Sequence, residues 1–233
     1  MRRGLVAVDR VRRHGEHVGV GDGPPVSLAG VPREGRAVAL GGAVVTVEVD
    51  ADAVERRLVS GRLACPGCGG MLTGWGHGRE RTVRGPHGPV RVRPRRSRCA
   101  GCGVTHVLLP VVLLVRRADA AVVIGSALAA KAAGGGYRSI AAALSRPVDT
   151  VRGWIRRFAG RAEPVRGVFT VWLRALDPDP VMPEPAASSC ADALCAIEAA
   201  ARAAARRFVL PMVSVWELAV AISGGRLLAP GWP

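Results

Sequence analysis

The sequence predicts an α+β protein, with a small β region in its first half and several helices in its second half. A Cys-x-x-Cys motif occurs twice, at Cys65 and Cys68 and again at Cys99 and Cys102, and valine alternates with arginine between the two pairs, as in a strand. From Asp119 onward, apolar residues recur every three or four positions, which is typical of amphipathic helices. A chain of 233 residues with 49% hydrophobic content is long enough to bury a core beneath both parts.

The charge is strongly positive. A net charge of +15 and a pI near 11.4 favour a polyanionic partner such as nucleic acid. Lys131 is the only lysine, however, and richness in Arg, Ala, Gly, Pro and Val is also what a G+C-rich coding sequence produces. The clustering of arginines is therefore more informative than their number. Eight of them lie between the two cysteine pairs, at positions 79, 81, 84, 91, 93, 95, 96 and 98.

The sequence contains no pattern typical of a secreted or membrane protein. The first residues, "MRRGLVAVDRVRRHGEH", have too short an apolar run for a secretory signal. The most apolar stretch, 107–115, is followed directly by Arg116, Arg117 and Asp119 and is too short to span a bilayer. We therefore predict a cytoplasmic protein with no membrane partner. In that compartment thiols stay reduced, so paired Cys-x-x-Cys motifs favour metal binding over disulfides.

Composition divides the chain into five segments. Residues 1–42 are rich in Gly, Pro and Arg without a sustained period and predict a disordered extension. Residues 43–117 predict a strand, a short helix capped by Asp50 or Asp52, and a hairpin "RTVRGPHGPVRVR" with Val83, Val90 and Val92 on one face. Residues 118–176 predict a helical module, 177–189 a proline-rich linker, and 190–233 a C-terminal helical segment.

The four clustered cysteines predict a closed structural zinc site. Four thiolates satisfy tetrahedral Zn²⁺ completely, and glycine turns let backbone amides point at sulfur. A catalytic zinc would keep one position open for water, so this quartet predicts one structural ion in a zinc ribbon. We interpret His77, His87 and His106 as loop or strand histidines. Cys190 and Cys195, beyond the linker, are interpreted as packing residues.

Three helices after Asp119 predict a helix-turn-helix. In the third, "DTVRGWIRRFAG", Asp149 is the predicted N-cap and Gly160 the stop. Its apolar stripe is Val151, Trp154, Ile155 and Phe158, and the opposite side presents Thr150, Arg152, Arg156 and Arg157. The turn "SRPV" before it has the right length for a DNA-binding motif. The alternative is an ordinary three-helix bundle with a solvated basic face.

Two resemblances add to this interpretation. "CPGCG" and "CAGCG" followed by "YRSIAAALSRPVDTVRGWIRRF" resemble the N-terminal regions of insertion-sequence transposases, where a zinc ribbon precedes a homeodomain-like helix-turn-helix. "GVTHVLLP", "LVRRADAAVVIGSALAAKAAG" and "GGRLLAPGWP" are similar to an uncharacterised family from high-G+C bacteria, and that likeness covers most of the chain after residue 43. The resemblances imply a transposase-like DNA-binding protein.

A nuclease domain is not expected. Such transposases cut DNA with three carboxylates that hold two metal ions on a sheet. About seventy residues follow the helix-turn-helix here, and their acids lie in predicted helices or in the linker. No phosphate-binding loop, serine nucleophile elbow or His-Glu-x-x-His motif is present. We therefore expect no enzymatic activity.

The sequence thus predicts a sequence-specific or semi-specific DNA-binding protein, either a regulator or a transposition accessory factor, associated with the nucleoid when bound. The predicted DNA contacts are Thr150, Arg152, Arg156, Arg157, Arg138, Arg91, Arg93, Arg95 and Arg96. The alternative is an adaptor that binds a transposase or another protein through the ribbon and the apolar C-terminal stretch "FVLPMVSVWELAVAIS". A remnant of a mobile element is a third interpretation.

Overall fold

The structure is a computed structural model that describes residues 43–209 and 214–233, so the predicted disordered extension 1–42 lies outside the described residues. It confirms a mixed α+β protein, and the described residues form seven helices. In chain order the elements are β1 (Ala43–Val47), α1 (Ala51–Val59), β2 (Leu72–His77), β3 (Arg81–Gly85), β4 (Gly88–Val92), β5 (Arg95–Cys99), β6 (Thr105–Pro110), α2 (Ala121–Ala132), α3 (Tyr137–Ala143), α4 (Val148–Ala159), α5 (Ala162–Leu176), α6 (Ser189–Arg207) and α7 (Val215–Ser223).

Four strands form one sheet in the order β1-β6-β5-β2. β1 runs parallel to β6, whereas β5 is antiparallel to both of its neighbours. Helix α1 connects β1 to β2. Its N-cap is Asp50, whose carboxylate accepts a hydrogen bond from the Asp52 amide at 2.9 Å, so the predicted cap is confirmed. The buried side chains of α1 share a hydrophobic cluster with Leu72 and Leu108 of the sheet. One face of the sheet is therefore covered by α1.

The predicted hairpin is β3 and β4, which turn at Pro86 and His87 and form a separate two-stranded sheet. Val83 pairs with Val90, but Val83 is 2% exposed and Val90 is 56% exposed, so only part of the valine face is buried. The sequence predicts one hairpin between the cysteine pairs, whereas the structure also places β2 and β5 there, as the two strands that frame it. The region between the cysteines is thus mostly sheet.

The helical half has one core that extends across the proline-rich segment. Helix α5 packs along α6, and buried residues from both helices belong to the same hydrophobic cluster as those of α2, α4 and α7. At the contact between α2 and α7, a Cβ on Gly125 would lie 1.9 Å from the Trp216 ring. Glycine at this position therefore lets the indole lie directly on the α2 backbone.

Helices α3 and α4 are joined by the four residues 144–147. Helix α4 begins at Val148 with Pro147 as its N-cap, and the Thr150 amide donates to the Pro147 carbonyl at 3.0 Å, so the predicted cap at Asp149 is wrong. Asp149 instead lies in the first helical turn, where a negative charge interacts favourably with the helix dipole. The predicted stop at Gly160 is confirmed.

Candidate metal centre and nucleic-acid interface

The four cysteines form one cluster, and none of them is in a disulfide. Their sulfurs all lie within 4.8 Å of one another, with Cys65 Sγ 3.8 Å from Cys102 Sγ and Cys68 Sγ 3.4 Å from Cys99 Sγ. Four sulfurs held about 2.3 Å from one tetrahedral ion lie about 3.8 Å apart. The cluster therefore has the size that a single metal ion requires. It is the only group of three or more His, Cys, Asp or Glu side chains with metal-binding geometry in the described residues.

The two Cys-x-x-Cys turns have the same backbone hydrogen bonds. The first cysteine of each pair donates its amide to the carbonyl five residues later, from Cys65 to Gly70 and from Cys99 to Val104. Its carbonyl accepts the amide of the glycine four residues later, Gly69 or Gly103, and both glycines have positive φ angles, of 75° and 73°. This left-handed backbone conformation is unfavourable for residues that carry a side chain, but glycine adopts it readily. The repeated glycine thus explains why both turns close around sulfur.

Backbone amides and neighbouring thiols give the sulfurs different proton affinities. The Cys102 amide donates to Cys99 Sγ at 3.4 Å and lowers the pKa of Cys99 to about 6. At Cys68, the Gly70 amide lowers the pKa, but hydrogen bonds with the Cys99 and Cys102 thiols outweigh it and raise the pKa to about 11. Thiols this close cannot all ionise without a compensating positive charge. A metal cation at their centre would supply that charge.

His106 contacts the cluster, which the sequence did not indicate. It lies on β6, as a strand histidine should, but its side chain is buried and its Nε2 is 3.4 Å from Cys65 Sγ. The other ring nitrogen, Nδ1, is buried without a hydrogen-bond partner. With its proton on Nε2, the ring donates a hydrogen bond to the sulfur. His106 is therefore placed to orient Cys65 rather than to replace a cysteine ligand.

Helix α4 buries the predicted apolar stripe. Val151, Trp154, Ile155 and Phe158 are all 5% exposed or less and belong to the helical core. Gly153 is also buried, whereas Arg152, Arg156 and Arg157 are exposed. Thr150 is half-buried. The helix thus presents basic side chains to solvent on the side away from the core.

The exposed arginines of this helix differ in what they contact. Arg152 forms an ion pair with Asp149 at 3.2 Å, and its guanidinium also lies 5.7 Å from the Tyr137 ring centre. Arg157 donates to the Gly153 carbonyl of its own helix at 3.0 Å. In the described part of the chain, the Arg156 side chain has neither an ion pair nor a hydrogen bond, and the same is true of the exposed Arg138 on α3.

The arginines between the cysteine pairs also differ in whether they have an acidic partner. Arg95 forms an ion pair with Glu55 of α1 and donates to the Gly76 carbonyl at 2.6 Å, so its partly buried guanidinium is held between α1 and β2. Arg91 pairs with Glu80 at 3.3 Å on the surface. Arg93 is exposed and Arg96 is half-buried, and neither has an acidic partner within the ranges that the structure describes.

Asp119 joins the hairpin to the helical half and was missed as a key residue. Its carboxylate is 3% exposed and accepts from Arg84 of β3 at 3.0 and 2.6 Å and from Arg146, in the α3–α4 turn, at 2.6 Å. The Asp119 carboxylate raises the pKa of Arg84 through these hydrogen bonds. Backbone bonds from Arg84 to Ala118 and from Ala120 to Arg84 reinforce the link. The hairpin and the α3–α4 turn are thus held by one buried carboxylate.

The apolar C-terminal stretch is partly used inside the protein. In α7, Ala219 and Val220 are buried in the helical core, and Trp216 lies against Gly125 of α2. Residues 210–213 of this stretch lie outside the described residues. Among the helices that the structure describes, none is long and apolar enough to cross a membrane.

Comparison with protein-family models, with curated proteins and with solved structures gives no match to this chain.

Proposed function

We propose that this protein is a non-enzymatic DNA-binding protein, a transposase-like regulator or transposition accessory factor, with one structural zinc ion. α3 and α4 act as a helix-turn-helix, and α4 is the recognition helix that enters the major groove. The region around the cysteines acts as a zinc ribbon whose arginines add contacts to phosphates. When bound to DNA, the protein is associated with the nucleoid.

The proposal of zinc rests on the ligand set. Four thiolates at tetrahedral spacing suit zinc, since soft sulfur ligands favour zinc or iron–sulfur chemistry over Mg²⁺ and Ca²⁺. Cys65, Cys68, Cys99 and Cys102 would supply all four ligands, which leaves no position for a water molecule or a substrate. The ion would therefore hold the fold together and carry no chemistry of its own.

One observation carries the proposal of DNA binding. Helix α4 is packed into the core along one side, so its orientation is fixed, and the opposite side presents Arg156 without an acidic partner among the described residues. A helix held in this way can present arginines to phosphates and to the O6 and N7 atoms of guanine. Arg152 and Arg157 lie on the same exposed side, and Arg138 extends the positive surface onto α3.

The adaptor alternative has less support from the structure. Its docking face would be the C-terminal apolar stretch, but the buried residues of α7 already pack within the helical core. The apolar surface that α7 leaves exposed for a partner is therefore smaller than the sequence indicates.

The test is duplex binding by the full chain, measured by fluorescence anisotropy at several salt concentrations. We expect Arg156→Ala with Arg157→Ala to weaken binding and to lower the slope of log K against log salt by about 1–2, because each arginine releases counterions when it contacts a phosphate. The matched control is Arg166→Ala with Arg174→Ala, which removes the same charge from the exposed surface of α5. An equal loss in the control would show general electrostatics rather than a recognition helix. No duplex binding by the native protein at low salt would contradict the proposal.

A further inference from the structure

The face of the four-stranded sheet opposite α1 carries an exposed aromatic ring. On β2, Leu72 is fully buried toward the α1 side, while Thr73 and Trp75 alternate to the other side. Trp75 is 50% exposed. Trp75 belongs to neither of the two hydrophobic clusters that the described residues form, so this part of the indole is not used in the core.

Two arginines share the sheet face that carries this ring. The Arg98 guanidinium lies 5.0 Å from the Trp75 ring centre, and Arg98 is the strand partner of Thr73, so these side chains share one face. Arg98 Nε also donates to the Gly103 carbonyl at 3.2 Å, which fixes the guanidinium beside the ring. Arg96, two residues earlier on β5, points to the same face. Within the described chain, neither Arg96 nor Arg98 has an acidic partner.

The backbone that carries Trp75 is held in an unusual shape. The pairing of β2 with β5 shifts register between Gly74 and His77, and Gly76 has a positive φ of 79°. Arg95 fixes this bulge from the α1 side by donating to the Gly76 carbonyl while it pairs with Glu55. A Cβ at Gly74 would lie 2.5 Å from the Arg95 guanidinium, so a side chain there would displace the guanidinium from this position. Bulges interrupt regular strand pairing, and Trp75 lies within this one.

We propose that Trp75 and Arg98 form a stacking platform for unpaired bases of single-stranded DNA. An aromatic ring with adjacent unpaired arginines is the combination that binds single strands, since the base stacks on the ring and the arginines contact the backbone phosphates. Bases inside a duplex are covered by their neighbours and do not reach a ring on a sheet face. The platform therefore takes unwound or end-frayed DNA, a different substrate from the duplex that α4 reads. This inference rests on the proposed DNA-binding function and specifies a second DNA form for it.

The test uses the full chain and a labelled oligothymidylate of about 15 nucleotides, a length within the usual site sizes. We expect Trp75→Ala to weaken single-strand binding by about 5- to 100-fold, while duplex affinity stays within about twofold. Trp75→Phe keeps a ring and should retain most of the affinity. The native protein should also lose tryptophan fluorescence on binding, and Trp75→Phe should bind without that loss.

Val90→Ala is the matched control, because Val90 is exposed to a similar degree on the neighbouring hairpin. Unchanged single-strand affinity in Trp75→Ala, or an equal loss of duplex affinity, would overturn the inference, as would tighter binding of oligouridylate RNA than of the DNA strand.

The two proposals fail separately. If Arg156→Ala with Arg157→Ala weakens duplex binding but Trp75→Ala has no effect, only the stacking platform is wrong. If single-strand binding depends on Trp75 but the native protein binds no duplex, only the recognition helix is wrong.

Discussion

At the residue scale, the contact between His106 and Cys65 leads to a prediction about metal affinity. The imidazole is buried with Nε2 3.4 Å from the sulfur. A hydrogen bond to a ligating thiolate orients the ligand and offsets part of its charge, and the loss of such a contact costs about 10–100-fold in metal affinity. We therefore expect His106→Ala to lower zinc affinity by that factor, measured by competition with a chromophoric chelator.

Two further variants separate orientation from packing. His106→Gln keeps a hydrogen-bond donor at similar reach and should recover part of the affinity. His87→Ala removes an exposed histidine from the hairpin turn and should leave the affinity unchanged. Equal zinc affinity in His106→Ala and the native protein would show that the histidine only fills space.

In the metal cluster, the sequence predicts the four cysteines but not the histidine that contacts them. The four cysteines can be identified from the sequence because their ligand spacing is local, with two residues between the members of each pair. The role of His106 cannot be identified in this way, because its contact with Cys65 depends on how β6 aligns with β5 and not on a spacing in the sequence. The ion pair of Arg95 is equally hidden in the sequence, because its partner Glu55 lies forty residues away on α1. Arg95 was therefore predicted as a surface contact to DNA.

At the element scale, Asp119 couples the hairpin to the helices. Its carboxylate is 3% exposed and is bound by Arg84 and Arg146. Removal of one member of a buried ion pair leaves the other charges uncompensated and destabilises a protein by about 3–5 kcal/mol. Because Arg84 is partly exposed, we expect Asp119→Asn to lower the free energy of unfolding by about 3 kcal/mol, at the lower end of that range. Urea denaturation followed by circular dichroism measures it.

Asp149→Asn is the matched control for this change. It removes the same charge, but the Asp149 side chain is 91% exposed and its pair with Arg152 lies on the surface. Surface pairs contribute about 0–1 kcal/mol, so this variant should unfold at nearly the native urea concentration. If both variants had the same small effect, Asp119 would not hold the hairpin to the helices.

Elements were predicted well where periodicity was strong and poorly where glycine or proline interrupts it. The helices follow from apolar spacing, and Asp50 and Gly160 mark their ends as predicted. Strand β2, "LTGWGH", was missed because two glycines remove the alternation that identifies a strand. The predicted start of α4 was too late, because Pro147 and not Asp149 is the N-cap. Proline fixes φ at about −65°, which also suits the position before a helix.

At the scale of the whole molecule, the buried residues form two hydrophobic clusters. The smaller one contains Cys65 and Cys99 and joins α1 to β2 and β6. The larger one spans the helices and also includes Val83 of the hairpin and Leu109 at the end of β6. A small cluster buries too little apolar surface to stand alone, and two of its members are proposed metal ligands. A metal ion bound by the cysteines would therefore stabilise the same part of the fold as the smaller cluster.

The division between the clusters was not predictable from composition. The proline-rich segment 177–189 suggests a boundary between separate units, yet α5 and α6 on its two sides share one core. The hairpin, by contrast, is close in sequence to the cysteines but contributes Val83 to the helical core. Sequence proximity and linker composition report how the chain is connected, whereas burial depends on which apolar faces meet after folding.

Removal of the metal tests this two-part organisation. The ion in small structural zinc sites supplies apparent folding free energy of about 10–16 kcal/mol. We expect a strong chelator, or Cys102→Ser, to unfold α1, β2 and β5 while the helices keep their core, because Leu109, Leu113 and Leu114 attach the chain after β6 to the larger cluster. Trypsin should then cleave at arginines within 56–62 and 91–98, and a fragment containing α2–α7 should persist. Far-UV circular dichroism should retain most of its helical signal.

Cys190→Ser with Cys195→Ser is the control, since these cysteines lie outside the cluster and should leave both the digestion pattern and the metal content unchanged. Two results would contradict the prediction. If the helical signal is lost together with the metal, the two clusters fold as one cooperative unit. If the region around the cysteines stays protected from trypsin without metal, the smaller cluster is stable by itself, and the cysteine site then has a role other than holding the fold.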